Sequence, residues 1–270
     1  MPDRATPDVF DISTPSVARM YDYLLDGKDH FPSDRAACET LLRRVPSMKK
    51  LAFDSRAFVR RVVHALAAQY GVRQFIEYGS GLPTRGNIHE VAQHVDPHCR
   101  VVYVDNDPLV RSVGAALLQR NANTVFIEAD MRDTKGIFEH PKVESFLDRK
   151  EPVAALFVSV LHCIPDEDDP KTLVRRVADC LVPGSFMAIC QLVSNSPGLR
   201  ASVSDFMQEQ TRERWGRVRE RRDVQEYFEH LQVEEPGLVE VSQWRAADRE
   251  RRAWTAVEWE EYGGLGKITR

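Results

Sequence analysis

A pair of glycines follows an apolar, β-rich run at a point where a predicted strand must turn. The segment is Glu77-Tyr78-Gly79-Ser80-Gly81. Glycine lets the backbone approach a ligand closely because it carries no Cβ atom. A carboxylate two residues before the first glycine suits a cationic ammonium or sulfonium group better than it suits a pyrophosphate. The turn therefore favours S-adenosylmethionine as the bound cofactor, with Glu77, Gly79, Ser80 and Gly81 in contact with it.

A dinucleotide-binding turn is the main alternative for this segment. Such a turn has the pattern G-x-G-x-x-G, in which the third glycine lets the following helix pack closely against the strand. The position of that third glycine is occupied here by Thr84. An NAD-dependent oxidoreductase is therefore the less favoured interpretation.

The next two predicted strands also end on acidic residues. Asp105 ends the second strand, where a carboxylate can accept both ribose hydroxyls of an adenosine cofactor. Asp130 ends the third, where it can accept the adenine amine, and Met131 offers an apolar face for the ring. Carboxylates are common in turns, so one acidic strand end would carry little weight. Three in succession predict a ligand site, and Asn106 is included among its cofactor contacts.

The segment after the predicted fourth strand is where a catalytic group is expected. Methyl transfer is an in-line displacement that needs aligned reactants and sometimes a base. His162 is the candidate base because its ordinary pKa lies near neutrality, although a structural role is the favoured alternative. Ser159, at the start of the segment, is included among the cofactor contacts. The segment lacks an Asn-Pro-Pro-Tyr motif, so an unidentified small-molecule acceptor is expected and not a nucleic-acid base.

Alternating strands and helices must position these residues. Amphipathic helical stretches separate β-rich runs, which is typical of a parallel sheet covered by helices. The five predicted parallel strands span residues 72–78, 100–104, 124–129, 154–161 and 186–193. Residues 238–244 alternate like an edge strand, and residues 262–268 form a last β-like run. The predicted fold is α/β, with a Rossmann-like, mostly parallel sheet and a late antiparallel strand.

Two regions lie outside this scheme. Residues 1–50 are predicted to form a helical extension, a lid over the cofactor site on a domain that spans residues 51–270. Residues 200–235 are predicted to form a helical insertion after the fifth strand that contains a possible acceptor pocket. Its large side chains fit core packing better than a pocket lining: Phe206, Met207, Trp215, Tyr227 and Phe228. The charged run at residues 212–222 is interpreted as a solvated helix face.

Composition limits the remaining possibilities. The 270 residues are 43% hydrophobic and 29% charged, with a net charge of -4, so a nucleic-acid partner is not favoured. The longest apolar run is too short to cross a bilayer, and no membrane association is expected. Five scattered cysteines without C-x-x-C spacing indicate free thiols in a reducing compartment, so a cytoplasmic location and no metal are expected. The oligomeric state is left open.

Seven segments together resemble an actinobacterial S-adenosyl methyltransferase family, long catalogued as a domain of unknown function within the class I methyltransferase superfamily. They are ARMYDYLLDGKD (18–29), DSRAF (54–58), EYGSGLPT (77–84), GNIHE (86–90), VYVDND (102–107), EPGLV (235–239) and SQWR (242–245). The similarity covers almost the whole chain. The family often has Asp where this chain has Glu77, which keeps the charge but lengthens its reach.

The resemblance implies S-adenosylmethionine as methyl donor and S-adenosylhomocysteine as product. It gives the N-terminal segment a role as a lid in which Tyr21 and Lys28 contact the cofactor. Arg56 is expected to pair with the cofactor carboxylate through a bidentate fork, with a surface ion pair as its alternative. A regulatory protein that binds the same cofactor without turnover remains the alternative function.

Overall fold

The structure is a computed structural model that describes residues 11–84, 86–118, 121–212, 214–247 and 258–270. The helices are α1 (Val17–Leu24), α2 (Pro32–Arg44), α3 (Met48–Ala68), α4 (Ile88–Val95), α5 (Pro108–Leu118), α6 (Thr134–Phe138), α7 (Pro141–Phe146), α8 (Pro170–Asp179), α9 (Pro197–Thr211) and α10 (Arg221–Glu226). The strands are β1 (Gln74–Tyr78), β2 (Arg100–Asp105), β3 (Thr124–Glu128), β4 (Val153–Val158), β5 (Phe186–Val193), β6 (Gln232–Val233), β7 (Val239–Glu240) and β8 (Glu260–Lys267). Short 3-10 helices span Leu161–Cys163, Asp166–Asp168 and Val241–Gln243.

These strands form one mixed sheet in the order β3-β2-β1-β4-β5-β8-β6, with β7 paired to β8. The first five strands are parallel to one another, and β8 runs antiparallel to β5, β6 and β7. The strand order reverses between β1 and β4. Ligands bind in the crevice that such a reversal opens at the carboxyl ends of the strands. The sheet confirms the predicted α/β fold with a late antiparallel strand.

The central strands are apolar because helices cover both of their faces. All five residues of β1 and all eight of β5 are buried. Successive side chains point to opposite faces, so Phe75 joins the core beneath α3 and α4 while Ile76 joins the core on the other side. This double burial orders the backbone at the carboxyl edge of the sheet.

Two predicted strands are shorter than expected. The fourth ends at Val158, because Ser159 has a φ of 51° and turns the chain into the 3-10 helix Leu161–Cys163. The edge strand predicted at residues 238–244 is wrong: only β7 pairs, and a 3-10 helix follows it. Trp244 lies fully buried against Phe58, with ring centroids 5.5 Å apart, so burial of this ring replaces strand pairing.

The N-terminal helices lie at the carboxyl edge of the sheet. They share a core with α9 that includes Met20, Leu41 and Leu192, the last near the end of β5. The Ser16 hydroxyl donates a 2.5 Å hydrogen bond to Asp107, just beyond β2. Helix α3 runs continuously across residue 50, where the sequence predicts the boundary between the N-terminal extension and the rest of the chain.

The region after the fifth strand contains α9 and α10, joined by a segment that is not helical where the structure describes it. The interpretation of the charged run as one solvated helix face is therefore wrong. Arg219 is 2% exposed, and its guanidinium donates 2.8 Å hydrogen bonds to the carbonyls of Leu161 and Ile164. Five buried carbon-rich side chains predicted to pack in the core do so: Phe206, Met207, Trp215, Tyr227 and Phe228. Among the described helices, none has the length and apolar character needed to cross a membrane.

Candidate functional site

The glycine turn lies directly at the carboxyl end of β1. Gly79 and Gly81 have φ values of 63° and 64°, a region that side-chain-bearing residues avoid. A Cβ atom on Gly79 would lie 2.2 Å from Val160 Cγ2, whereas one on Gly81 would meet no atom within 4 Å. Gly79 thus permits close packing across the β1–β4 crevice. Gly81 borders open space that a ligand can occupy.

Asp105, at the end of β2, is brought against this turn. Its carboxylate accepts hydrogen bonds from the backbone N–H groups of Gly81 at 2.8 Å and Asp107 at 2.9 Å. The side chain is 8% exposed, and burial raises the pKa of Asp105 to about 6. The carboxylate is therefore fixed beside the open space at Gly81, with lone pairs left for further donors. The neighbouring Asn106 is exposed.

Glu77 and Arg56 form a buried ion pair beneath the turn. Arg56 Nη1 lies 3.4 Å from Glu77 Oε1, and the two side chains are 10% and 5% exposed. Burial raises the pKa of Glu77, against the opposing effect of the Arg56 charge. Arg56 Nε is buried without a hydrogen-bond partner among the described residues. Arg56 therefore pairs with Glu77 through Nη1, while its Nε–H donor has no partner among the described residues.

Asp130 forms an ion pair with Arg132, which was not predicted from the sequence. Arg132 Nη2 lies 2.5 Å from Asp130 Oδ2, and Arg132 Nη1 also reaches Asp168 at 2.6 Å. Burial would raise the pKa of Asp130, but hydrogen bonds from Arg132 lower it overall. An adenine amine would have to share this carboxylate with Arg132. Met131 points its methyl group to within 3.2 Å of the Cβ position of Gly79, so it does border the crevice.

The remaining predicted cofactor residues differ in position. Tyr21 lies on α1, and its hydroxyl donates a 3.3 Å hydrogen bond to the carbonyl of Ala52 in α3. Lys28 is exposed in the loop after α1. Ser80 donates its backbone N–H to Val104 at 3.1 Å within the turn. Ser159 Oγ lies 3.0 Å from Ser55 Oγ at the end of β4.

His162 is buried against an aromatic ring. It is 5% exposed and stacks on Trp215 with ring centroids 4.2 Å apart. Burial lowers the pKa of His162 to about 3, with a further contribution from the Arg219 charge. Its Nδ1 atom has no partner among the described residues. These surroundings keep the imidazole neutral and are those of a packed side chain.

The burial of His162 predicts a specific pH dependence of stability. The unfolded chain binds a proton at His162 below pH 6.5, but the folded protein does not until about pH 3. Stability is therefore lost as the pH falls through 6.5, by about 1.4 kcal/mol per pH unit. Replacing His162 by leucine should remove this term, so that urea unfolding shows wild type losing about 2 kcal/mol more than the variant between pH 7 and 5.

The exposed His64 provides the matched control for that measurement. Its leucine variant should lose stability with falling pH in the same way as wild type. Identical pH dependence of wild type and the His162 variant would contradict the assignment of a buried neutral imidazole.

A polar cluster beside the crevice was not predicted from the sequence. Ser55, Cys190 and Glu261 all surround Ser159, and each comes from a different helix or strand. Glu261 lies one residue before the last predicted strand, residues 262–268, but within the observed strand β8. A carboxylate at the start of an otherwise apolar strand is the signal that would have identified it.

A wide groove of about 870 Å³ lies on the other side of α3. It is lined by residues that include Asp54, Arg60, His64, Glu90, His94 and Arg245. None of the predicted site residues lines this groove, so it is separate from the glycine turn. No group of three or more His, Cys, Asp or Glu side chains is placed to hold a metal ion within the described ranges.

Comparison with known proteins identifies relatives over almost the whole chain. A family model described as S-adenosyl methyltransferase matches residues 3–269. A DUF574 family protein from Streptomyces avermitilis MA-4680 is 33% identical, with a TM-score of 0.88, and the match covers 96% of this chain and 99% of that one. A protein from Thermobifida fusca YX, described as a candidate methyltransferase, is 35% identical, with a TM-score of 0.88 and coverage of 96% and 97%. No curated protein matches the chain.

Proposed function

Because the chain belongs to the S-adenosyl methyltransferase family, we propose that it methylates a small molecule at the carboxyl ends of β1, β4 and β5. The chain is an S-adenosylmethionine-dependent methyltransferase, and its product is S-adenosylhomocysteine. The observation that carries the proposed site is the contact between Gly81 and Asp105. It joins a turn with open space in front of it to a buried carboxylate on the adjacent strand.

The residues at this crevice fit the cofactor. The space beyond Gly81 accommodates backbone approach, and Asp105 has lone pairs for ribose hydroxyls. The unused Nε donor of Arg56 suits the cofactor carboxylate, while Glu77 suits its ammonium group. When bound, S-adenosylmethionine supplies an electrophilic methyl group on a sulfonium. Asn106, Ser80 and Met131 complete the proposed contacts on the β2 and β3 side.

The N-terminal helices support a small acceptor. Tyr21 and its neighbours cover the carboxyl edge of the sheet, in a shared apolar core with α9. We infer that residues 1–50 act as a lid that excludes water from the crevice, with residues 1–10 and their contribution lying outside the described residues. A covered crevice favours a molecule that can be enclosed over a polymer. The net charge of -4 likewise favours an acceptor other than nucleic acid. All five cysteines are free thiols, which supports a cytoplasmic location.

The acceptor class is tested with methyl-labelled S-adenosylmethionine. The protein is incubated with the low-molecular-weight fraction of a cell extract and, separately, with its macromolecular fraction. Label is expected in small compounds of the first fraction, and the Asp105→Ala variant provides the control because it lacks the proposed ribose contact. Label that appears only in protein or nucleic acid of the second fraction would contradict a small-molecule acceptor.

A further inference from the structure

A buried carboxyl group, Glu261, lies beside the proposed methyl-transfer site and has no assigned role. It stands on β8 opposite Leu192, near the carboxyl end of β5, and is 3% exposed. Its neighbours two and four residues along β8 are Gly263 and Leu265, and Leu265 packs in the core beneath α3. Glu261 therefore points to the α3 side of the sheet, the side on which Arg56 and Glu77 meet.

The described residues around Glu261 leave a negative charge on it uncompensated. Ser159 and Cys190 lie near enough to lower the pKa of its carboxyl group by hydrogen bonding, yet its Oε2 atom is buried and has no partner among the described residues. No ion pair of the described residues includes it. Burial raises the pKa of Glu261 to about 8, against the opposing hydrogen bonds. An isolated buried carboxylate is costly, so the neutral form prevails while the site is empty.

Short contacts connect Glu261 to the cofactor crevice. Glu261 contacts Ser159, whose Oγ lies 3.0 Å from Ser55 Oγ. The next residue of α3, Arg56, pairs with Glu77 at the end of β1. The carboxyl group therefore belongs to one continuous polar layer that crosses β1, β4, β5 and β8.

The glycine turn follows β1, the strand that pairs with the other edge of β4. A Cβ atom on Gly79 would lie 2.2 Å from Val160 Cγ2, so β4's end touches the turn directly. Ser159 follows β4, which pairs with β1, and β5 lies between β4 and the strand β8 that carries Glu261. A cation bound at the ends of β1 and β4 would therefore share this polar layer with the buried carboxyl group of Glu261, and burial weakens the screening of their attraction.

We propose that Glu261 is the counter-charge of the sulfonium: it carries a proton in the empty protein, releases it when S-adenosylmethionine binds, and keeps it when S-adenosylhomocysteine binds. This inference rests on the cofactor site proposed above. The released proton goes to solvent, and no other bond changes. The site would thus hold the charged methyl donor more tightly than the neutral product, which favours product release.

The other titratable groups around Glu261 do not take this role. They are Tyr21 on α1, Asp54 and Arg56 on α3, Cys190 on β5 and Glu240 on β7. Burial raises the pKa values of Tyr21 and Cys190, so both stay neutral. Arg56 forms an ion pair with Glu77, and Asp54 forms one with Lys50. Glu240 also has an unpartnered oxygen among the described residues, but it stands on β7, which pairs with β8 and is one strand farther from β4 than Glu261 is.

Calorimetric titration of the wild-type protein tests the proposal without any substitution. S-adenosylmethionine and S-adenosylhomocysteine are titrated at pH 7 in two buffers that differ in ionisation enthalpy, which gives the number of protons released on binding. Both ligands carry an ammonium and a carboxylate group, and the sulfonium makes the ammonium of S-adenosylmethionine more acidic, so the protonation of each free ligand is titrated first and subtracted. We expect S-adenosylmethionine to release about 0.9 proton more than S-adenosylhomocysteine, because a group with a pKa near 8 is mostly protonated at pH 7.

The variants Glu261→Gln and Glu240→Gln assign the proton to a residue. In wild type the ratio of the two dissociation constants should shift about tenfold in favour of S-adenosylmethionine between pH 7 and 9, as the ionised fraction of Glu261 rises. Glu261→Gln should abolish the shift, and Glu240→Gln, the matched buried carboxyl on β7, should retain it.

The outcomes separate this proposal from the cofactor site on which it rests. Binding of both ligands with equal proton release would overturn the role of Glu261 and leave the site intact. Loss of the shift in Glu240→Gln alone would move the role to Glu240 and overturn the assignment. Absence of binding by either ligand would overturn the proposed site and this inference with it. If Glu261→Gln does not fold, equal proton release by the two ligands in wild type still overturns the proposal, and a shift retained in Glu240→Gln excludes the neighbouring carboxyl group.

Discussion

Replacing Asp105 by alanine is expected to weaken S-adenosylhomocysteine binding about 100-fold. In the proposed site its carboxylate accepts the ribose hydroxyls, and hydrogen bonds to a charged group each contribute about 1.5–3 kcal/mol. The substitution also removes the acceptor of the Gly81 N–H, now 2.8 Å away, and so loosens the turn itself. Loss of about 3 kcal/mol corresponds to roughly two orders of magnitude in the dissociation constant. Isothermal titration calorimetry measures it directly.

Asp130→Ala is the matched comparison. Asp130 is already paired with Arg132, and its side chain is 35% exposed, so any adenine contact there exchanges one partner for another. Its substitution should weaken binding less than about tenfold, since exposed and partnered charges contribute little net free energy. Asp105→Asn retains one acceptor and should fall between the two. A larger loss from Asp130→Ala than from Asp105→Ala would show that the cofactor is held chiefly from the β3 side.

The second large effect is expected on stability, from Arg219→Met. The guanidinium is 2% exposed and donates to two backbone carbonyls of the segment after β4, each at 2.8 Å. Methionine fills the volume but removes the donor of the Ile164 carbonyl and leaves the Leu161 carbonyl with only the Ile164 N–H at 3.2 Å, and an unsatisfied buried group costs about 1–3 kcal/mol. We expect the free energy of unfolding to fall by about 3–5 kcal/mol in urea denaturation.

Arg217→Met supplies the control two residues away. Arg217 also binds Asp166, but it is 39% exposed, and we expect its loss to cost less than about 1 kcal/mol. Because both arginines share the same carboxylate, the difference between the variants measures the buried carbonyl contacts. Equal destabilisation by the two substitutions would mean that the ion pair with Asp166, and not the burial of Arg219, stabilises this segment.

Much of the fold and the position of the crevice followed from local patterns. Gly79 and Gly81 were recognised because a tight turn requires their backbone freedom, and both have positive φ values. The span of β5 matched its predicted limits, residues 186–193, because an unbroken apolar run marks it in the sequence. Asp105 followed from the same logic, since it ends a predicted strand.

Partners could not be read in this way, because they come from distant parts of the chain. Arg56 was expected to hold the cofactor carboxylate, and folding brings Glu77 to it from the neighbouring strand. The local pattern around Arg219 predicted a solvated charged run. In the folded protein its guanidinium binds carbonyls of the segment after β4. Trp244 alternated like a strand residue, yet burial against Phe58 decided its conformation.

Local sequence patterns were enough to predict an α/β sheet with a glycine turn flanked by acidic strand ends, and to favour S-adenosylmethionine as the cofactor. They were enough because backbone geometry and side-chain periodicity depend on neighbours along the chain. The tertiary structure alone decided which charges at that turn are paired. Glu261 and Ser159 meet only when β8 inserts beside β5, and burial then removes the water that would otherwise solvate the carboxylate. Packing determines which groups surround a charge. The pairing and burial of charged groups beside Gly79 and Gly81 therefore depend on the tertiary structure.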